Sequence, residues 1–326
     1  MWPFLLLGLV VFAVARHCYV RFIVRPGTIR ERTLPNGMKA FGCSGDLFED
    51  FVYRENFVDR TYLSHGITVD SKSTVLDVGA NIGLFTMSLL KAYPGIRIHC
   101  IEPVPVLYNA CRQNAARTAR APEDVVCHNV ALGDSEGSVP FRYNAQASAT
   151  SGMFKTSAVL IPRSRRVTSW LAAVLDDGVL GGVLPGFVKV LPPILRAPVV
   201  GPVVAIVLIP VWVVLGIFHF AGQLPAQKFD AKITTLDSII KNHNVEKADL
   251  VKIDVEGAEL MVMKSISKEA FSRIKQIVIE VHDIDDRTNV LTSMLREHGF
   301  NVKKSERESL ETQNLFRLDT LYAVRP

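Results

Sequence analysis

The sequence has no CxxC pair, and its five cysteines, at positions 18, 43, 100, 111 and 127, follow no regular spacing. This argues against a zinc ribbon and against a disulfide framework, and makes a reducing compartment the default. No charge of one sign dominates: a net charge of +5, dispersed over 326 residues, is too small to point to nucleic-acid binding. There are no heptads, no internal repeat and no low-complexity tract. No N-x-S/T sequon is present, so nothing marks a glycosylated luminal face. No residue spacing is diagnostic of a metal site, and we assign none.

Apolar sequence, in contrast, is plentiful. Mean hydropathy is +0.22, high for an enzyme with an ordinary water-facing surface. Residues 1–15 are apolar, and arginines follow at 16, 21, 25, 30 and 32. A secretory signal peptide carries its positive charge before the apolar run. With Arg16 and Arg21 snorkelling, residues 1–24 read as a membrane anchor. A cleaved signal peptide and a buried helix are the alternatives. The arginines on the C-terminal side place the body in the cytosol, at the endoplasmic reticulum if the host is eukaryotic.

A second apolar block covers residues 179–222, with no Asp, Glu, Lys or Arg in residues 197–222. It sits within an insertion, residues 145–231, far too long for an ordinary crossover. Its two arms, 179–195 and 197–222, read as membrane-associated helices joined at Arg196. A buried core helix is the bland alternative, but the prolines at 198, 202 and 210 break a regular helix.

Around these blocks, strands alternate with helices. Strands are expected at 74–78, 96–101, 125–130, 250–253, 277–281 and 318–324. Helices are expected at 82–91, 106–116, 259–265 and 289–298. This alternation predicts an α/β fold, a doubly wound and mostly parallel sheet, with the N-terminal membrane helix and the apolar insertion added to it. The body is then split into residues 34–144 and 232–326.

The sharpest local pattern is VLDVGANIG at 75–83, a strand, a tight turn and a helix. A dinucleotide fingerprint reads GxGxxG; this one reads D-x-G-x-N-x-G. An acid two residues before the first glycine is poorly suited to a pyrophosphate and suits a cationic or hydrogen-donating ligand. Asp77, Gly79, Asn81 and Gly83 therefore point to S-adenosyl-L-methionine (SAM), with the glycines expected to let the ligand approach the backbone. A dinucleotide and a purely structural corner are the rival readings. Glu102 ends the next strand, where an acid accepts both ribose hydroxyls. Asp134 follows the third strand, beside the adenine position or simply as a turn acid. Asp254, Glu256 and Glu259 crowd with Glu280, His282 and Asp283 at the ends of neighbouring strands. Asp254 is expected at the cofactor, and Glu256, Glu259 or His282 as the general base. Helix capping is the structural alternative for each.

VLDVGANIGLFT at 75–86, IEPVP at 101–105, NVALGDSEG at 129–137, DLVKIDVEGAELMVMKSI at 249–266, IVIEVHD at 277–283 and LYAVRP at 321–326 together resemble the FkbM-type methyltransferases. The resemblance covers residues 34–144 and 232–326. It implies the class I methyltransferase fold, SAM as methyl donor, and O-methylation of hydroxyl or carboxyl groups of secondary metabolites, sugars or lipids. By this resemblance Asp77, Gly79, Asn81, Gly83 and Glu102 fall on the SAM motif; no catalytic base is carried over. The apolar segments depart from the usual soluble member and favour a lipophilic small-molecule or lipid acceptor at a membrane, with no nucleic-acid partner. A non-catalytic membrane scaffold, an NAD-dependent oxidoreductase and a methyltransferase of soluble metabolites are the competing functions.

Overall fold

The computed structural model describes residues 27–46, 49–145, 148, 151–153, 226–283, 285–305 and 318–326. The expected anchor at 1–24 and the expected membrane-associated block at 179–222 lie outside the described residues. Among the described residues no helix is long and apolar enough to cross a membrane.

The elements follow in chain order as β1 (Ile29–Thr33), β2 (Lys39–Cys43), α1 (Glu49–Tyr53), β3 (Thr74–Val78), α2 (Leu84–Ala92), β4 (Arg97–Ile101), α3 (Pro105–Thr118), β5 (Val125–His128), β6 (Ala131–Leu132) and β7 (Gly137–Tyr143). Then come β8 (Gln227–Thr234), α4 (Leu236–Asn242), β9 (Leu250–Ile253), α5 (Glu259–Lys264), α6 (Lys268–Arg273), β10 (Gln276–His282), α7 (Arg287–Glu297), β11 (Asn301–Lys304) and β12 (Leu318–Val324). Seven strands form one sheet in the order β11-β12-β10-β9-β3-β4-β5. The five from β10 to β5 are parallel, and β12 runs antiparallel to both β10 and β11. This is the class I methyltransferase arrangement.

The central strands are apolar because helices cover both faces. Val75, Leu76, Val251, Ile253, Ile277 and Ile279 are buried. On one face Leu76, Val251 and Ile279 pack with Leu236, Ile239 and Ile240 of α4 and Leu291 of α7. On the other, Val75, Ile98 and Val278 pack with Phe85 and Leu89 of α2. From β3 the chain winds outward through β4 and β5, and later returns to place β9 on the other side of β3. Strand order therefore reverses between β3 and β9, and doubly wound folds bind ligands at the carboxyl edge of such a switch point.

Two small sheets flank this edge. β1 pairs with β2, and β6, β8 and β7 form a three-stranded sheet. The insertion begins beyond β7, as its expected start at residue 145 requires, and the chain returns at β8, which pairs antiparallel with β7 from Gly137↔Ile233 to Tyr143↔Gln227. The boundary set at residue 231 cuts through β8, whose first residue is Gln227. Both ends of the intervening chain thus meet at one end of a β-ribbon.

Candidate active site

The cavity opens at the carboxyl ends of β3, β4 and β9. Its floor is the turn after β3. Gly79 takes φ +79 and Asn81 φ +51. The backbone N–H groups of Gly79 and Ala80 both donate to the Ile101 carbonyl, tying this turn to the end of β4. A Cβ on Gly79 would lie 1.7 Å from the Asp254 carbonyl oxygen, and one on Gly83 2.9 Å from Cys111 Sγ. The two glycines were expected to admit a ligand. What approaches them is protein: the backbone just past β9 at Gly79 and α3 at Gly83. Gly79 and Asn81 line the cavity; Gly83 does not.

Glu102 stands where the sequence placed it. Its carboxylate accepts from Asn81 N and Val104 N, each at 2.8 Å, and lines the cavity. Burial pushes its pKa up to about 7 against those two backbone hydrogen bonds. Asn81 also reaches across to the Ser148 hydroxyl at 3.1 Å.

Asp77 lies elsewhere. It is fully buried below the cavity and absent from its walls. It accepts from Thr86 Oγ1 at 2.8 Å and pairs with Lys252 Nζ at 3.3 Å. Lys252, a residue the sequence reading passed over, donates to the Gly79 carbonyl at 2.9 Å and lies 3.5 Å from Asp254. Burial works against its charge, but the Asp77 and Asp254 carboxylates prevail and hold the ammonium pKa above its ordinary value. Asp77 therefore acts on the turn through Lys252, which binds the Gly79 carbonyl. Asp134 is exposed in the turn after β6, accepts from Ser135, and does not line the cavity. Its turn reading is the one the geometry supports.

The opposite wall is acidic. Asp254, Glu256, Glu280 and Glu55 line it, with the Tyr62 hydroxyl donating to Asp254 at 3.1 Å. Burial, then the charges of Asp254 and Glu55, push Glu280 well above the usual carboxylate range. Glu256 is also raised, chiefly by burial. Glu256 takes φ +51 before Gly257 at +96, a sharp turn that aims its side chain back at β10. There its Oε2 meets His282 Nε2 at 3.1 Å, and His282 Nδ1 meets Glu259 Oε1 at 2.9 Å. Glu259 is fully buried behind the wall, where Arg287 and the Gly257 N–H also bind it. Burial alone would lower the His282 pKa, but Glu256 and Glu259 raise it to about 11. The two carboxylates thus favour the protonated ring. Neither His282 nor Glu259 lines the cavity. Glu256 alone of the three reaches the ligand space.

The remaining wall is apolar, with Phe51, Val52, Leu107, Phe141 and Met153. Phe51 is 47% exposed, so this side opens toward solvent. Only Leu107 of these lies in an element the sequence reading anticipated.

Sulfonium and ammonium groups fit this donor set. Several desolvated carboxylates face one space, with one buried lysine among them already committed to Asp77, Asp254 and Gly79. Glu102, at the tip of β4, has lone pairs left for vicinal hydroxyls after its two backbone bonds.

Comparison with known proteins agrees with this chemistry. Residues 218–302 match the family model described as the methyltransferase FkbM domain. The chain is 29% identical over 271 residues to 31-O-demethyl-FK506 methyltransferase FkbM of Streptomyces tacrolimicus, covering 82% of this chain and 88% of that one. It is 29% identical over 301 residues to the AMB antimetabolite synthetase AmbE of Pseudomonas aeruginosa, covering 91% of this chain but spanning only 12% of that protein. A crystal structure of methyltransferase FkbM from Methylobacillus flagellatus aligns at 14% identity with a TM-score of 0.43, over 83% of this chain and 47% of that one. The expected resemblance holds: residues 218–302 carry the match to the FkbM methyltransferase domain, and the methyl donor of such enzymes is S-adenosyl-L-methionine.

Proposed function

We propose that the protein is a membrane-attached O-methyltransferase acting on the hydroxyl group of a lipophilic acceptor. One observation supports this reading: the cavity has an apolar wall, and two of its residues, Phe141 and Met153, come shortly before the apolar block in the sequence. Phe141 belongs to β7, and Met153 lines the cavity immediately before the segment that holds residues 179–222. Phe141 and Met153 offer a lipophilic acceptor an apolar surface. Because β7 and β8 pair, the two ends of the insertion lie together. A single complete crossing is therefore forbidden; the apolar arms make an even number of passes or lie in the interface. Arg163, Arg165 and Arg166 precede the arms and suit anionic head groups, at about 1 kcal/mol each. The arginines after residues 1–24 support a body facing the cytosol, where SAM is made.

The acidic wall favours a hydroxyl over a carboxylate acceptor, since a second anion beside Asp254, Glu256 and Glu280 is repelled. The name of the Streptomyces relative also specifies transfer to oxygen in that protein. The bound donor supplies an electrophilic methyl group. Glu256 takes the acceptor's hydroxyl proton, held in place by His282 and, through it, by Glu259. Glu102 and the turn at Gly79–Asn81 orient the donor, and Phe141 and Met153 keep water from the acceptor.

The test is transfer of tritiated methyl from SAM into a lipid extract of the host. Label in the organic phase that Glu256→Gln abolishes is the expected result. Label confined to water-soluble products, or no transfer to any host fraction, refutes it.

A further inference from the structure

Away from the cavity, three histidines distant in sequence come together at the edge of the sheet. His99 lies in β4, His128 ends the edge strand β5, and His243 follows α4. In the register of β4 and β5, His99 stands opposite Val126 and Ile101 opposite His128, so the two histidines share a face diagonally. That is the face α4 covers, since Ile101 packs with Leu236, Ile239 and Ile240. His243 is delivered there as the C-cap of α4, its N–H bonded to the Ile239 and Lys241 carbonyls. None of the three lines the cofactor cavity.

We propose that His99, His128 and His243 form a binding site for a divalent transition-metal ion of the zinc class. One ring nitrogen from each lies within 4.8 Å of the others. His99 Nδ1 and His128 Nε2 are 3.2 Å apart. Two imidazole nitrogens at about 2.0–2.1 Å from one tetrahedral zinc stand at about that separation. A hydrogen bond between His99 and His128 accounts for that contact but not for the third ring. The His243 ring stands 4.5 Å from His128 and 5.5 Å from His99, centroid to centroid, with no hydrogen bond to it among the described residues. His99 and His128 are nearly buried, while His243 is exposed. Three nitrogen ligands fixed on the protein side, with solvent on the fourth, is the pattern of an open three-histidine centre. Burial, with His243 nearby, lowers the pKa of both His99 and His128 to about 4, which leaves them in the ligating form at neutral pH. Metal here ties the end of α4 to β4 and β5. It lies one residue from Glu102 along the ladder, because Glu102 N donates to the His128 carbonyl.

Cys100, Cys111 and Cys127 gather on the opposite face of the same strands and form the competing site. The experiment must separate the two. Full-length protein without a purification tag, stripped by chelator, is titrated with Co²⁺ and then with Zn²⁺ in competition. The expected result is one equivalent of tetrahedral cobalt without thiolate charge transfer, displaced by zinc. His243→Ala should weaken uptake by at least about tenfold, the lower end of what losing even an outer-sphere partner of a metal costs. His243 is exposed, so unchanged circular dichroism of the stripped variant shows that the fold survives. No uptake, uptake unaffected by His243→Ala, or a thiolate band that Cys127→Ser removes would each overturn the histidine site.

Discussion

The Lys252 ammonium lies within reach of the Asp77 carboxylate, 3.3 Å away and wholly inside the protein. Among the described residues it is the cation bonded to the turn at Gly79, and its 2.9 Å bond to the Gly79 carbonyl fixes the cavity floor. Lys252→Met should destabilise the protein by about 3–5 kcal/mol, the usual cost of stranding a buried partner charge. Asp77→Asn added to it should recover part of that loss. Urea unfolding of the three variants measures this; equal stability of Lys252→Met and wild type would remove the ion pair from the account.

His282 gives a pH signature. Its folded pKa of about 11 exceeds the ordinary 6.5, because the protonated ring is held by two carboxylates. A raised pKa stabilises the folded state most where the unfolded group is also protonated. The contribution is therefore full below pH 6.5, declines above it, and is gone once pH passes about 11. His282→Gln should unfold more easily at pH 6 and lose this slope. Denaturant titrations at stepped pH from 6 upward provide the check, and an unchanged slope would place the proton elsewhere.

Glu256 is expected to act as base in its ionised form. Its pKa is raised by burial, so kcat should climb with pH above the ordinary carboxylate range. Glu256→Gln should lower kcat by about 10²–10⁴-fold while leaving SAM affinity in place. A variant that keeps wild-type turnover would mean that the acceptor needs no base from this wall.

The insertion can be tested without touching the cavity. Replacing residues 179–222 with a short Gly/Ser linker should spare SAM binding, since the described cavity residues all lie outside that segment. Methylation of an acceptor embedded in vesicles should collapse. Wild-type turnover on vesicles by the linker variant would detach the apolar segment from function.

Much of the central sheet was legible because its strands are short apolar runs ending in special residues. Val75–Val78 ends at Gly79, and the helix after it starts two residues later than the pattern suggested. The flanking strands were not legible. β7 carries Pro140, which demotes a strand in sequence, and β8 alternates Lys, Asp and Lys along one exposed face. α1, with Phe51, is too short to show a period. Glu102 was found because an acid ending a strand is conspicuous. Asp77 was found, but not its contacts with Lys252 and Thr86: a sequence shows an acid near a turn but not which side of the turn it faces. Lys252 did leave a signal, as the lone charge in the strand LVKI. A lysine inside a buried strand requires partners, and following that requirement leads to Asp77 and Asp254. The three histidines left none, because only the ladder between β4 and β5 and the end of α4 bring them together.

The central claim is that the space between Glu102 and the acidic wall holds SAM. Calorimetric titration of SAM into wild type and Glu102→Ala at pH 8 tests it most directly, above the Glu102 pKa of about 7 where the carboxylate accepts hydrogen bonds. Wild type should bind at one site, and the variant should lose about 1–3 kcal/mol of affinity, the worth of charge-assisted hydrogen bonds. At pH 6 the difference should shrink, because Glu102 is then protonated in wild type. Equal affinity of the two proteins at pH 8 would contradict the account.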